Sequence, residues 1–328
     1  MLTSAAQSSP DNQAASPLDR VLPLLRCPAT GSALTHQGDR LVSADEPDTS
    51  YPVQPNGVPL FAAIPKTEDS IRQQAHYDRV AAAYIANLNY PHTIVYQQSL
   101  DDAVTEAVAD QPLGTTLEVC CGRGEAFALF ADQIETGIGV DISAQMLASA
   151  REHHDPARFT FLQGDATNLP VADSSIDTVF MLGGVHHVND RQTLFNEIAR
   201  VLKPGGRFIC REPLDDFWLW RGIRKIIYRL SPALDDQTER PLVHEETVPP
   251  LEQAGLTVTH WKTYGFFGFC IFMNSDVLVF NRLFRFIPGI RAITRAAVKL
   301  DDLTIRAPGM SRAGLQLVAV ATKPVDKK

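Results

Sequence analysis

The chain contains no apolar run of about 18 residues, the length that crosses a bilayer. Its N-terminus shows no basic segment leading into an apolar stretch. Neither a membrane-spanning helix nor a signal peptide is therefore expected. Cysteine is scarce, with Cys27, Cys120, Cys121, Cys210 and Cys270 making five in 328 residues. Their number is odd and no two form a C-x-x-C pair, which argues against a zinc or other metal site and against a disulfide framework. It fits a reducing, cytoplasmic setting. Basic residues are also in deficit, 30 Lys and Arg against 38 Asp and Glu, for a net charge of -8. That balance disfavours a nucleic-acid partner, because neutralising phosphates needs a basic face.

What is present centres on residues 116 to 124, Thr-Leu-Glu-Val-Cys-Cys-Gly-Arg-Gly. Leu117 and Val119 read as the end of a buried parallel strand. Gly122 and Gly124 supply the backbone freedom for a turn that approaches a ligand before a helix begins at about Gly124. The free N–H groups of that helix, expected to run to Gln133, point at whatever lies above the turn. A second strand-like run, Gly137-Ile-Gly-Val-Asp141, ends in an acid 19 residues past Gly122. An acid at that place is suited to accept ribose hydroxyls. A dinucleotide fingerprint needs a third glycine where this chain has Phe127, so a nucleoside rather than a pyrophosphate is implied.

Further along stand Gly164-Asp165-Ala166, then Phe180 to His187, then Arg200-Val-Leu-Lys-Pro-Gly-Gly206. With Glu118-x-Cys-Cys-Gly-x-Gly124 and Gly139-Val-Asp141-Ile142-Ser143-x-x-Met146, this order resembles the class I S-adenosylmethionine-dependent methyltransferases over residues 112 to 212. The resemblance implies an α/β, Rossmann-like fold. Its seven-stranded sheet is mostly parallel with the last strand antiparallel, and helices cover both faces. It implies S-adenosyl-L-methionine as cofactor, with Glu118 toward the methionine ammonium, Asp141 on the ribose and Asp165 with Ala166 at the adenine. Cys120, Gly122, Gly124, Ile142, Met146, Leu182 and Gly183 complete the expected cofactor site. The family usually has glycine where this chain has Cys120, which narrows the space beside the methionine part.

The expected strands are 116–120, 137–140, 158–163, 176–182 and 206–211, with 255–264 and 313–322 as the final antiparallel pair. Alternation with helices places ligands at the strands' carboxyl ends. One of those helices, Asp190 to Leu202, carries Leu194, Ile198, Val201 and Leu202 as its packing stripe. After the fourth strand, His186 and then His187 are the candidate bases, one of them facing the cleft if the backbone is extended. Glu212, after the fifth strand, is a candidate rim residue or second base, with pairing to Arg200 or Arg211 as the alternative.

Residues 1–17 are small and polar and read as a disordered tail. From 18 to 65, Cys27-Pro-Ala-Thr-Gly31, Tyr51-Pro-Val53 and Gly57-Val-Pro-Leu60-Phe61 resemble the small Trm112-like module. The resemblance implies a metal-free structural unit or a dock for a partner protein. Residues 66–328 are expected to form the methyltransferase domain, in which the resemblance implies that 66–110 are lid helices, with Tyr77, Tyr84 and Tyr90 either lining the lid toward the cofactor or serving as simple packing. Insertions at 213–250 and 264–312 mix Phe and Trp with Arg and Lys. Such a mixture suits a greasy acceptor and peripheral membrane contact, or else a buried cap or dimer interface. The expected activity is methyl transfer to a hydroxyl or acidic carbon of a small or lipid-like acceptor. RNA methylation and an inactive, cofactor-binding partner subunit are the alternatives.

Overall fold

A computed structural model describes residues 16–62, 71, 89–109, 111–230, 240–273 and 279–325. The N-terminal unit comprises α1 (Pro17–Val21), a 3-10 turn Leu22–Leu24, and an antiparallel sheet of β1 (Leu34–Gln37), β2 (Arg40–Ser43) and β3 (Ser50–Pro52). The main domain runs α2 (Pro91–Val108), β4 (Gly114–Val119), α3 (Glu125–Phe130), β5 (Ile134–Asp141), α4 (Ala144–His153), β6 (Phe159–Gln163), β7 (Ile176–Leu182), α5 (Arg191–Val201) and β8 (Leu202–Pro213). It continues through α6 (Trp218–Leu230), α7 (His244–Gln253), β9 (Thr257–Tyr264), α8 (Phe267–Met273), a 3-10 helix Val279–Phe286, α9 (Ile290–Ile305) and β10 (Gln316–Thr322).

The seven-stranded sheet has the order β6-β5-β4-β7-β8-β10-β9, and β10 alone runs antiparallel to its neighbours. Strands buried on both faces need apolar side chains on both. Alternate residues accordingly enter two cores. Leu117, Val119, Val179 and Met181 face one of these, while Phe159, Phe161, Phe180 and Ile209 face the other. Gly139 of β5 has no side chain because a Cβ there would lie 2.6 Å from the Phe161 ring on β6. Chain order reverses between β4 and β7, so the crevice for a ligand opens above those strands.

Several expectations need adjustment. Leu202 is the first residue of β8 rather than the last of the α5 stripe. The helix after the turn stops at Phe130, and a 3-10 segment covers Ala131–Gln133. Tyr77 and Tyr84 lie outside the described residues. Tyr90 stacks on His92, with centroids 5.7 Å apart, and lies under the Arg285 guanidinium.

The N-terminal unit is joined to the sheet by backbone bonds. Phe61 N–H donates to Gln163 O at 2.9 Å and Gln163 N–H to Pro59 O at 2.9 Å, a parallel bridge at the β6 edge. Cys27 is buried against the Tyr51 hydroxyl at 3.2 Å. Among the described residues no group of His, Cys, Asp and Glu is arranged to hold a metal ion.

At the other end, α2, α6, α8 and α9 form a cap with its own core, including Tyr96, Trp220, Phe266 and Phe269. One buried carboxylate organises it. Asp301 accepts from the Tyr96 hydroxyl at 3.1 Å and from the N–H groups of Phe266, Gly268 and Phe269 at 2.8, 3.0 and 2.8 Å. It thereby satisfies orphan donors at the start of α8. A side chain at Gly268 would collide with the Tyr96 hydroxyl.

Candidate active site

The turn after β4 is tightly wound. Cys120, Gly122 and Gly124 all have positive φ, at 51°, 50° and 80°. A left-handed residue with a Cβ costs roughly 1 kcal/mol, which is the physical reason for the glycine preference at position 120. This chain accommodates the side chain by placing Gly184 opposite, where a Cβ would be 2.7 Å from that of Cys120. Burial, and then the carboxylates of Asp141, Glu212 and Asp165, raise the Cys120 thiol well above its ordinary range, so it stays protonated near neutrality.

Asp141 ties two loops together. Its Oδ2 accepts from Gly122 N–H and its Oδ1 from Ser143 N–H, both at 2.8 Å. Ser143 in turn caps α4 at Met146 N–H. Asp165 closes a small turn by accepting from the Thr167 backbone at 2.9 Å and the Thr167 hydroxyl at 2.6 Å.

A cavity of about 360 Å³ opens at the carboxyl ends of β4, β5, β6 and β7. Cys120, Gly122, Asp141, Ile142, Met146, Asp165, Ala166, Leu182 and Gly183 all line it. Those nine expected cofactor residues, spread over 64 positions, converge on one space. Gly183 has φ 85° and open space where a Cβ would stand, so the backbone itself forms that part of the wall. Residues not anticipated from the sequence also line it, among them Arg123, Glu125, Thr167, Asp190 and Thr193. Asp190 and Thr193 had a readable signal, since Asp190 accepts from Thr193 N–H as the cap of α5.

Two cofactor candidates stand back from the wall. Gly124 caps α3, and a Cβ there would be 2.6 Å from the His154 ring. Glu118 is buried beneath the turn, with Oε1 accepting from Ala126 N–H at 2.9 Å and Oε2 without a hydrogen-bond partner among the described residues. Burial pushes its carboxyl up to about 8. An orphaned carboxylate oxygen beneath a glycine turn, beside a cavity of nucleoside size, fits a ligand that brings a cation.

The histidine segment departs from the extended path expected for it. Val185–His187 forms a 3-10 turn, and the two rings lie against each other with centroids 3.8 Å apart. His187, the second of the two candidates, lines the cavity, while His186 does not. Glu212 is not a rim residue. Fully buried, it accepts from Gly184 and Val185 N–H at 2.9 and 2.8 Å and meets His186 Nδ1 at 2.8 Å. It is enclosed because the β7 turn wraps over the end of β8. Neither arginine pairs with it: Arg200 binds Glu197 and Asp173, and Arg211 binds Asp101 and Glu125.

The strand order and a nucleoside-sized cavity walled by acids from successive strands define the class I S-adenosylmethionine-dependent methyltransferase fold. Residues 117–210 match the model of a family described as a methyltransferase domain. Similar curated proteins include the demethylmenaquinone methyltransferase of Bacillus licheniformis, 37% identical over 113 residues (33% of this chain, 49% of that protein). The enzyme of the same name from Lactiplantibacillus plantarum is 26% identical over 174 residues (46% and 73%). The ubiquinone/menaquinone biosynthesis C-methyltransferase UbiE of Rubrivivax gelatinosus is 37% identical over 107 residues (32% and 41%). The chain thus spans about half or less of the length of two of these relatives and about three quarters of the third.

Among solved structures, a chain from the complex of the Haloferax volcanii Trm112 methyltransferase activator with a methyltransferase superposes with a TM-score of 0.52 at 21% identity. The match covers 78% of this chain and 99% of that one. A SAM-dependent methyltransferase from Thermotoga maritima gives 0.51 at 20% identity, covering 76% and 99%. At those identities the likeness is one of fold.

Proposed function

We propose that this protein transfers the methyl group of S-adenosylmethionine to a hydroxyl or acidic ring carbon of a hydrophobic, quinone-like acceptor. The observation that carries this reading is the convergence of Asp141, Asp165 and the backbone at Gly122, Ala166 and Gly183 on one cavity that His187 also lines. In this reading Asp141 takes the ribose, Asp165 and Ala166 take the adenine, and Glu118 answers the ammonium from beneath the turn. When bound, the cofactor supplies an electrophilic methyl on a cationic sulfur, a good leaving group, so alignment is most of what the protein contributes.

The remaining task is a proton. A ring hydroxyl that loses its proton becomes a better nucleophile at oxygen or at the neighbouring carbon, and a positioned histidine can contribute roughly 100- to 10,000-fold. His187 is the group at the wall. Glu212 orients it indirectly, fixing His186 through Nδ1 and through the backbone of the turn, while the His186 ring lies tilted against that of His187. Glu212 and His186 are therefore positioning residues. The quinone-like character of the acceptor is supported by the names of the relatives that match residues of this domain.

The test supplies methyl-labelled cofactor and a quinol with a hydrophobic tail to the purified chain, and in parallel to cell extract. Label is expected in the quinol and the lipid fraction. Asp141→Ala should lose cofactor binding by calorimetry, and His187→Ala should lower turnover more than His186→Ala. Unchanged affinity in Asp141→Ala sinks the site assignment. Label in RNA, or in no fraction despite tight cofactor binding, sinks the acceptor.

A further inference from the structure

Asp301 fixes one face of α9 inward, yet the opposite side of the cap is greasy as well. On α9, Ile293, Leu300 and Leu303 recur at i, i+7 and i+10 on one exposed stripe. On the preceding 3-10 helix, Phe280, Leu283 and Phe286 recur every third residue, the period that puts them on a single edge. Its inward side is occupied by Phe284, which packs on His92 and Phe272. Trp218 of α6 is exposed too. Trp218, Phe280, Leu283, Phe286, Leu300 and Leu303 are each 55 to 72% exposed, so the cap core does not account for them.

Charge separates the readings. Segment 279–306 holds six Lys and Arg against Asp301 and Asp302 only, and Asp301 is buried. The rest of the chain holds 24 basic residues against 36 acidic. A molecule with a net charge of -8 has gathered its cations around its exposed apolar stripes. Exposed Arg291, Arg295 and Lys299 flank the α9 stripe, and the Arg285 guanidinium lies 4.8 Å above the Phe286 ring. A second copy docking through the same face would bring basic side chains onto basic side chains. Among the described residues no helix is long and apolar enough to cross a membrane. Such an arrangement suits a surface that lies on lipid rather than in it.

We infer that the outer face of α9 and the 3-10 helix before it docks this protein onto an anionic lipid bilayer. The apolar stripes enter the acyl boundary, and the Arg and Lys side chains meet the headgroups. The inference rests on the proposed hydrophobic acceptor for its purpose only, since bilayer docking delivers an acceptor that partitions into lipid.

The experiment is flotation of the full chain with vesicles of phosphatidylcholine, alone or with about one-third phosphatidylglycerol. The chain is expected to float with the anionic vesicles only. Its binding should fall as added salt shortens the Debye length from about 30 to about 8 Å. Each basic side chain near an anionic surface contributes roughly fivefold in partitioning, and each large apolar side chain leaving water about tenfold. Leu283→Ser with Phe286→Ser, and separately Leu300→Ser with Leu303→Ser, should each lower binding by about a hundredfold.

These positions are exposed, so the variants should keep the wild-type circular dichroism and methylate a short-tailed, water-soluble acceptor normally. Asp141→Ala should float like the wild type, which separates this inference from the cofactor-site assignment. No flotation with anionic vesicles, or flotation unaltered in both double variants, overturns the proposal. So does a dimer that sediments in the absence of lipid and is lost in the same variants.

Discussion

Replacing Glu118 with glutamine keeps the shape beneath the β4 turn and removes one proton equilibrium from it. Burial raises this carboxyl from 4.5 to about 8 in the folded chain. A raised folded-state value means the native state retains a proton that the unfolded state releases. The associated stability is complete below about pH 4.5 and is lost as pH climbs through about 8. A rise of that size corresponds to on the order of 5 kcal/mol, or roughly 10 °C in a domain of this size.

The assay is a thermal melt of wild type and Glu118→Gln from pH 5 to pH 9, without cofactor. At pH 5 the two should melt together, because Gln Oε1 can still accept from Ala126 N–H. At pH 9 the variant should melt higher. If the proposed site holds, a cofactor ammonium beside Glu118 would lower its pKa, so binding near pH 7 should release a proton, seen as buffer-dependent heat in the wild type and absent in the variant. Parallel melting curves across the whole range refute the buried, proton-bearing carboxyl.

Other variants test neighbouring claims. Asp301→Ala leaves the Tyr96 hydroxyl and three N–H groups of the cap without their acceptor, and should cost about 4 kcal/mol in chemical denaturation; the Trp220 signal in near-ultraviolet circular dichroism reports on the same core. A loss under about 1 kcal/mol means the cap is held otherwise. Cys120→Gly relieves a left-handed residue worth about 1 kcal/mol and removes a side chain from the cavity wall. Cofactor affinity should stay level or rise, and a fall of more than about tenfold by calorimetry contradicts the crowding assigned to Cys120.

Legibility in the sequence followed the range of the forces involved. The β4 turn, Asp141 and Asp165 were readable because strand ends and glycine turns are encoded within a few residues, and successive strands of a parallel sheet bring them together. The boundary at Leu202 was not, because the residue satisfies a helical stripe and a strand equally well until β7 pairs with it at Ile176. The order of the histidines depended on a 3-10 turn that Glu212 enforces from 26 residues away, and no local pattern announces that. Asp301 was missed for the same reason. An aspartate 32 to 35 residues from the N–H groups it caps looks like any helical acid. The mixture of Phe with Arg and Lys in 264–312 was visible in the sequence, but only the fold shows which of its greasy sides stays outside.

The pairing of Leu60 and Phe61 with Gln163, together with the bond from the Thr160 hydroxyl to Pro17 O, hems the outer margin of the sheet with the chain's own residues 17 to 61. A bare strand at that margin is a template on which any extended peptide can crystallise itself, including another copy of the same enzyme. Carrying the hem in cis makes that protection stoichiometric from the moment of synthesis and indifferent to how much of any separate subunit the cell provides.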